Sequence, residues 1–113
     1  MLEKDFQQWV VDLARWHGWL VHHTRTVRIA GGGWTSPGLD AGFPDLVLAR
    51  LNELIFAELK TDKGKTTATQ GRWLDVLDTS AAEVVVWRPK DMAHINERLQ
   101  PAVRTHVHRS RVV

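Results

Sequence analysis

The chain has 113 residues, no cysteine, six tryptophans and a formal charge of +2, from 15 Lys and Arg against 13 Asp and Glu. That length supports one hydrophobic core and excludes a multidomain reading; the missing cysteines exclude a disulfide scaffold, thiolate-held zinc or iron–sulfur groups, and a cysteine nucleophile. With 43% apolar and 25% charged residues the composition is that of a folded globular protein, not a disordered one.

The opening residues Met1-Leu2-Glu3-Lys4-Asp5 carry charge where a secretory signal needs apolar side chains, and no apolar run reaches membrane-span length. The expected setting is the cytoplasm, without a membrane. From Glu3 to His17 the apolar residues Phe6, Trp9, Val10, Leu13 and Trp16 recur every three or four positions, which predicts an amphipathic helix, with Gly18 as its C-terminal stop. Trp19 to Thr24 reads as a strand. Arg25 to Phe43 shows no periodicity and contains Gly31-Gly32-Gly33, Trp34, Pro37, Gly38 and Gly42; a connection this long is unusual in a compact domain and tends to be functional or mobile.

Pro44 to Ala49 and Leu54 to Lys60 are apolar runs separated by a short polar break at Asn52-Glu53, and together they predict a hairpin. Both faces of these strands are apolar, so they belong at the centre of a sheet covered on both sides. Thr67-Ala68-Thr69-Gln70 matches a capping box, and Trp73, Leu74 and Leu77 supply the stripe of the helix that follows. Glu83 to Trp87 is a further strand and Asp91 to Leu99 a short helix; Val103, Thr105 and Val107 alternate as a strand or tail. The order helix, strand, two-strand hairpin, helix, strand, helix predicts an α/β domain with a mixed central sheet flanked by helices.

Three ionisable residues, Asp45, Glu58 and Lys60, interrupt the apolar hairpin, and buried strand charges are costly unless paired or bound to metal. Glu58 and Lys60 are two apart and share a face. Asp45 joins them only for certain registers. Pairing Arg50 with Glu53 sets Asp45 opposite Glu58; pairing Leu51 with Leu54 sets it opposite Lys60; a register one residue off sends it to the other face. The two productive registers bring all three within about 5–8 Å. Two carboxylates that close suit a hard divalent cation such as Mg²⁺ or Mn²⁺, with the Leu59 backbone carbonyl as a further oxygen donor. A neighbouring lysine can stabilise charge developing on a phosphoryl oxygen, so the set describes phosphodiester hydrolysis.

Pro44-Asp45 followed by Glu58-Leu59-Lys60 resembles the PD-(D/E)xK nuclease motif, and its setting resembles the VRR-NUC branch of that superfamily. The likeness extends through Glu3 with Phe6-Gln7, Gly18-Trp19, Gly42-Phe43-Pro44-Asp45-Leu46, Phe56-Ala57-Glu58-Leu59-Lys60, Gly64-Lys65, Gln70 and Trp73-Leu74. It implies a restriction-endonuclease-like core of helix, three strands, helix and strand. It also implies Asp45 and Glu58 as metal ligands, Lys60 as the catalytic cation, Gln70 as an auxiliary active-site residue, and Glu3 as a first-helix carboxylate near the metal. The segment from Val27 to Asp40 is longer and richer in glycine than is usual in this branch, which sets substrate selection apart.

Each residue also has a plainer reading. Asp45, Glu58 and Lys60 can form a structural ion pair; Gln70 can serve only its capping box; Glu3 can complement its helix N-terminus. Trp34, beside Arg25 and Arg28, is a candidate for stacking on an unpaired base or wedging a junction. Lys63, Lys65 and Arg72 flank the presumed site and are candidates for phosphate contacts. Between Arg25 and Leu39 there are two Arg and no acid, and from Arg98 to Val113 four Arg, two His and no acid. Residues 1–100 are thus expected to form one nuclease domain and 101–113 a basic tail. Relatives in this branch imply cleavage of branched DNA or four-way (Holliday) junctions, and a chain too small to enclose a duplex implies a homodimer. The competing class is a non-catalytic nucleic-acid-binding module that keeps the fold.

Overall fold

The computed structural model describes residues 1–24, 27–28, 34–35 and 41–101, with backbone pairing alone for 27–28 and 34–35. Helix α1 spans Glu3–Trp16. It ends where Gly18 turns to φ +84°, a left-handed conformation that only glycine adopts readily. There the Trp19 amide donates to the Ala14 carbonyl at 3.0 Å and the Gly18 amide to Arg15 at 3.1 Å, the two bonds of a Schellman stop. The chain then enters β1, Leu20–His23.

Within the segment expected to lack elements, β2 (Val27–Arg28) and β3 (Trp34–Thr35) pair antiparallel. Two-residue strands are too short for any periodicity to announce them. Gly31 to Gly33, the Arg25 residue, the Arg28 and Trp34 side chains, and the alternation of Val103, Thr105 and Val107 lie outside what is described.

Strands β4 (Leu46–Arg50) and β5 (Glu53–Leu59) form the predicted hairpin, α2 covers Ala68–Leu77, β6 is Glu83–Trp87, and a 3-10 turn at Pro89–Asp91 leads into α3, Met92–Leu99. The main sheet runs β1-β4-β5-β6, with β4 antiparallel to both neighbours and β6 parallel to β5. This is the expected mixed sheet in a core of helix, three strands, helix and strand, with the hairpin at its centre. No helix among the described residues is long and apolar enough to cross a membrane.

Alternation divides the sheet into two unequal faces. Leu46, Leu48, Ile55, Ala57, Leu59 and Trp87 point to one face and are buried with Phe6, Val10, Val11 and Ala14 of α1 and Ile95 and Leu99 of α3. Each large apolar side chain buried there contributes about 1.5–3 kcal/mol. The buried stripe of α1 is rotated from the predicted one. Val11 and Ala14 face the core, whereas Trp16 is 84% exposed and so is not a core residue. On the opposite face Val47, Phe56, Val84 and Val86 are only half-buried, and α2 contributes no fully buried residue. Full cover on both sides was expected; α2 gives partial cover, held by Phe43, whose ring meets Trp73 at 5.2 Å and Phe56 at 6.2 Å edge-on.

At the hairpin-turn end of the sheet, Arg50 binds the C-terminal ends of two helices. Its Nη1 donates to the carbonyls of His17 at 3.2 Å and Leu99 at 2.7 Å, and its Nη2 to Gln100 at 3.2 Å. A cation is well placed there, because unpaired helix-end carbonyls carry partial negative charge. The guanidinium also lies 4.2 Å from the centre of the Trp19 ring and pairs with Glu53 at 2.8 Å. Asp45 and Glu58 are at the other end of the same hairpin.

Candidate active site

The hairpin turn is Leu51-Asn52, with Asn52 in the left-handed region at φ +64°, which Asn tolerates better than most residues. Arg50 therefore pairs with Glu53, and the ladder runs on to Leu46 opposite Ala57. Continued one step, it sets Asp45 opposite Glu58. Of the two productive registers, this is the one that brings the two carboxylates directly together.

The next step of the ladder would match Leu59 with Pro44, which has no amide hydrogen. Sheet pairing gives way there to a side-chain clasp. The Leu59 amide donates to Asp45 Oδ2 at 2.9 Å, and the Asp45 amide donates to Glu58 Oε1 at 3.2 Å. Amide and carbonyl of one strand residue point to the same side, so the Leu59 carbonyl also faces Asp45, and Pro44 offers it no donor. Pro44 is itself buried, and its carbonyl accepts from the Thr24 hydroxyl at 2.9 Å. Proline before the aspartate thus has a physical role: it stops the ladder and leaves a backbone oxygen beside two carboxylates.

Glu58 is 1% exposed, with Lys60 Nζ 3.6 Å from its Oε2. Burial pushes the Glu58 carboxyl up to about 8, helped by the negative charge of Asp45 and a side-chain hydrogen bond with it, while Lys60 and the Asp45 amide pull the other way. A carboxyl that strongly resists ionisation next to a second carboxylate is a pair short of positive charge. A hard divalent cation fits that shortage, with Asp45, Glu58 and the Leu59 carbonyl as its oxygen donors. Among the described residues no group of three or more His, Cys, Asp or Glu side chains is set to hold a metal. Glu3, exposed in the first turn of α1, is accordingly not gathered with Asp45 and Glu58.

Gln70 stands at the start of α2, where its Oε1 accepts from the Thr67 amide at 2.9 Å and its amide donates to Thr67 Oγ1 at 3.2 Å. The capping box is real, and it commits the side-chain oxygen of Gln70 to the helix. Gly42 seats this helix end against the approach to Asp45. A methyl group on Gly42 would lie 2.7 Å from Thr69 Cγ2, 2.8 Å from the Thr69 carbonyl carbon and 2.9 Å from the Gln70 nitrogen, on a backbone at φ +85°. Gly42→Ala is expected to cost about 2–4 kcal/mol, against about 1 kcal/mol for Gly18→Ala, which shares the positive φ but not the collision. Thermal or urea unfolding of the two variants measures the difference, and equal losses would remove the proposed close contact.

A family model for the VRR-NUC domain matches residues 23–91, more than half of the chain. The chain belongs to the VRR-NUC domain family. Comparisons with curated proteins and with solved structures give no match. The VRR-NUC match runs from His23, the last residue of β1, through the 3-10 turn and includes Asp45, Glu58, Lys60 and Gln70; α1 with Glu3 precedes it. A nuclease-type domain agrees with the clasped carboxylates and adjacent lysine of the hairpin.

Lys63, Lys65 and Arg72 are exposed in the loop after β5 and on α2 of the VRR-NUC domain. His22 and His23 point to opposite faces of β1, as adjacent strand residues must, and the His23 ring contacts the Gln7 side chain. Two functional-looking residues escaped the sequence reading. Arg50 was one charge among many, and Arg88 sits just after a strand; its Nη1 donates to the Thr61 carbonyl at 2.6 Å and the Gly64 carbonyl at 2.5 Å. No local pattern signals either role, because the backbone carbonyls they bind lie 24 to 50 positions away.

Proposed function

We propose that this VRR-NUC domain is a divalent-metal-dependent endonuclease that hydrolyses DNA phosphodiester bonds, selects branched DNA such as four-way junctions, and acts as a homodimer. The observation that carries the reading is the register that clasps Asp45 to Glu58 with Lys60 Nζ beside them. Asp45, Glu58 and the Leu59 carbonyl are the residues to hold Mg²⁺ or Mn²⁺. When bound, the cation supplies Lewis-acid activation of water and of the scissile phosphoryl group.

The chain's own residues do the rest. The Lys60 ammonium, half-buried and oriented by Glu58, stabilises negative charge gathering on the phosphoryl oxygens. The backbone clasp fixes both carboxylates before substrate arrives, so little reorganisation is left for the reacting complex. Lys63, Lys65 and Arg72 hold flanking phosphates, which positions the backbone without reading sequence. Gln70 fixes the start of α2 through its capping box, and Glu3, exposed in the first turn of α1, stays apart from the carboxylate pair. Arg25, Arg28 and Trp34 belong to the segment that selects DNA structure. A duplex has two strands, so cutting both calls for two copies of the chain, each bringing its own hairpin site.

The test is a panel of labelled four-way junction, flap, duplex and single-stranded DNAs, incubated with and without Mn²⁺. Cleavage is expected only with the metal, fastest on a branched substrate, and lost by at least about a thousandfold in Asp45→Ala and Lys60→Ala. Cutting in excess chelator, or full activity of Asp45→Ala, overturns the assignment. Salt-sensitive binding with no cutting under any metal favours the non-catalytic binding module instead.

A further inference from the structure

The loop from Thr61 to Lys65 follows directly on Lys60, and two of its carbonyls and its one carboxylate are bound by the segment after β6. The carbonyl oxygens of Thr61 and Gly64 accept from Arg88 Nη1 at 2.6 and 2.5 Å. The only acid in the loop, Asp62, accepts through Oδ1 from the Lys90 amide at 2.9 Å. Inside the turn the Gly64 amide donates to the Thr61 carbonyl at 3.2 Å and hydroxyl at 2.9 Å. Both ends are tied as well. The Lys60 amide donates to the Trp87 carbonyl at 3.0 Å, and the far end runs into the Thr67 capping box. Lys63 and Lys65 are exposed, and so is Asp62, but the Asp62 carboxylate is held against the Lys90 amide while the two lysines have no such tie in the loop.

This arrangement suits one kind of partner. Carbonyl oxygens and a carboxylate facing a polyanion would repel it, and a turn of this size ordinarily leaves some of its carbonyls to solvent. Here an arginine spends its charge on two neutral carbonyls instead of on an acid. We propose that Arg88 is a positioning residue for substrate binding: it turns the Thr61–Lys65 loop so that its oxygens face the β6–α3 connection and Lys63 and Lys65 face the phosphate backbone of the DNA. The inference rests on the nuclease reading above and adds a specific device for gripping DNA next to Lys60.

Arg88→Met keeps the length and much of the packing of the side chain but removes its donors; Arg88→Lys keeps one charged donor. Two measurements are decisive. In the first, trypsin is added to the folded protein: cleavage after Lys63 and Lys65 is expected to speed up about tenfold or more in Arg88→Met and much less in Arg88→Lys. Unchanged cleavage overturns the clamp whatever the protein does to DNA. The second is junction-DNA affinity without metal, by fluorescence anisotropy, for Arg88→Met, the Lys63→Ala/Lys65→Ala pair and the triple variant. Arg88→Met and the lysine pair are each expected to weaken binding about tenfold, and the triple variant little beyond either, because all act through one loop. In cleavage assays the loss in Arg88→Met is expected in KM, with kcat changed less than about threefold. Additive losses would mean that Arg88 touches DNA itself and would overturn the positioning role. Normal binding by all three variants, with Asp45→Ala still inactive, would sink this inference and leave the nuclease reading standing. No cutting by the wild type under any metal would sink the nuclease reading, and the inference with it.

Discussion

Glu58→Gln is expected to abolish DNA cleavage, by at least about a thousandfold, while making the metal-free protein more stable than wild type above pH 8. The two effects come from one side chain. Glu58 is almost fully enclosed, faces Asp45, and keeps its proton up to about pH 8 for those reasons. Ionising it removes a buried hydrogen bond and places a second negative charge against the first. Glutamine has nearly the same shape, can still accept the Asp45 amide bond, and carries no charge to be destabilised. It is also a poor ligand for a hard cation and cannot complete the carboxylate pair. Activity and stability therefore move in opposite directions, as they do where a site holds groups in an unfavourable state for chemistry. Thermal unfolding at pH 8.5 in chelator, with cleavage assayed in Mn²⁺, tests both halves. A Glu58→Gln protein that cuts normally removes Glu58 from the metal site, and one that is less stable than wild type at high pH contradicts the enclosed, charge-averse carboxyl.

The second large effect is on pH dependence and its reversal by metal. Glu58 titrates near 4.5 in the unfolded chain and near 8 in the folded one, so across that window the folded state binds the extra proton. Its contribution to stability is complete below pH 4.5, falls as pH rises, and is gone above about 8. The metal-free wild type should lose roughly 3–5 kcal/mol from this group between those limits, and Glu58→Gln should show a correspondingly flatter profile. Contributions common to both proteins cancel in the comparison, which is why the difference between the two proteins is the quantity to read. Added Mg²⁺ or Mn²⁺ replaces the proton, so it should stabilise wild type far more at pH 8 than at pH 5 and release close to one proton per site at pH 7. Calorimetric titration in buffers of different ionisation enthalpy counts that proton. Metal-induced stabilisation that is equal at both pH values, or equal in Glu58→Gln, would show that Glu58 is not a ligand.

Local signals accounted for most of the elements. The helical spacing of Phe6, Val10 and Leu13, the capping box at Thr67-Gln70 and the apolar runs around Pro44–Lys60 each report on neighbours a few positions away, and each element formed where its pattern lies. The polar-interrupted hairpin narrowed the site to two registers. Choosing between them took the turn itself: Asn52 accepts the left-handed conformation, and Arg50 reaches Glu53 across the turn. Trp16 illustrates the opposite case, since a side chain one step off the true stripe keeps helical spacing yet faces solvent.

By itself, then, the sequence determined an α/β domain with two carboxylates and a lysine on one hairpin, because strand period and turn length are local properties. The tertiary structure decided what those three residues experience. Pro44 ends the ladder and has no amide hydrogen to offer the Leu59 carbonyl. Enclosure first, and then the neighbouring Asp45, raise the affinity of Glu58 for its proton. Arg50 joins two helix ends and Arg88 holds the loop after Lys60 across 24 or more positions. Contacts made over such separations depend on how elements pack, and no run of neighbouring residues encodes them.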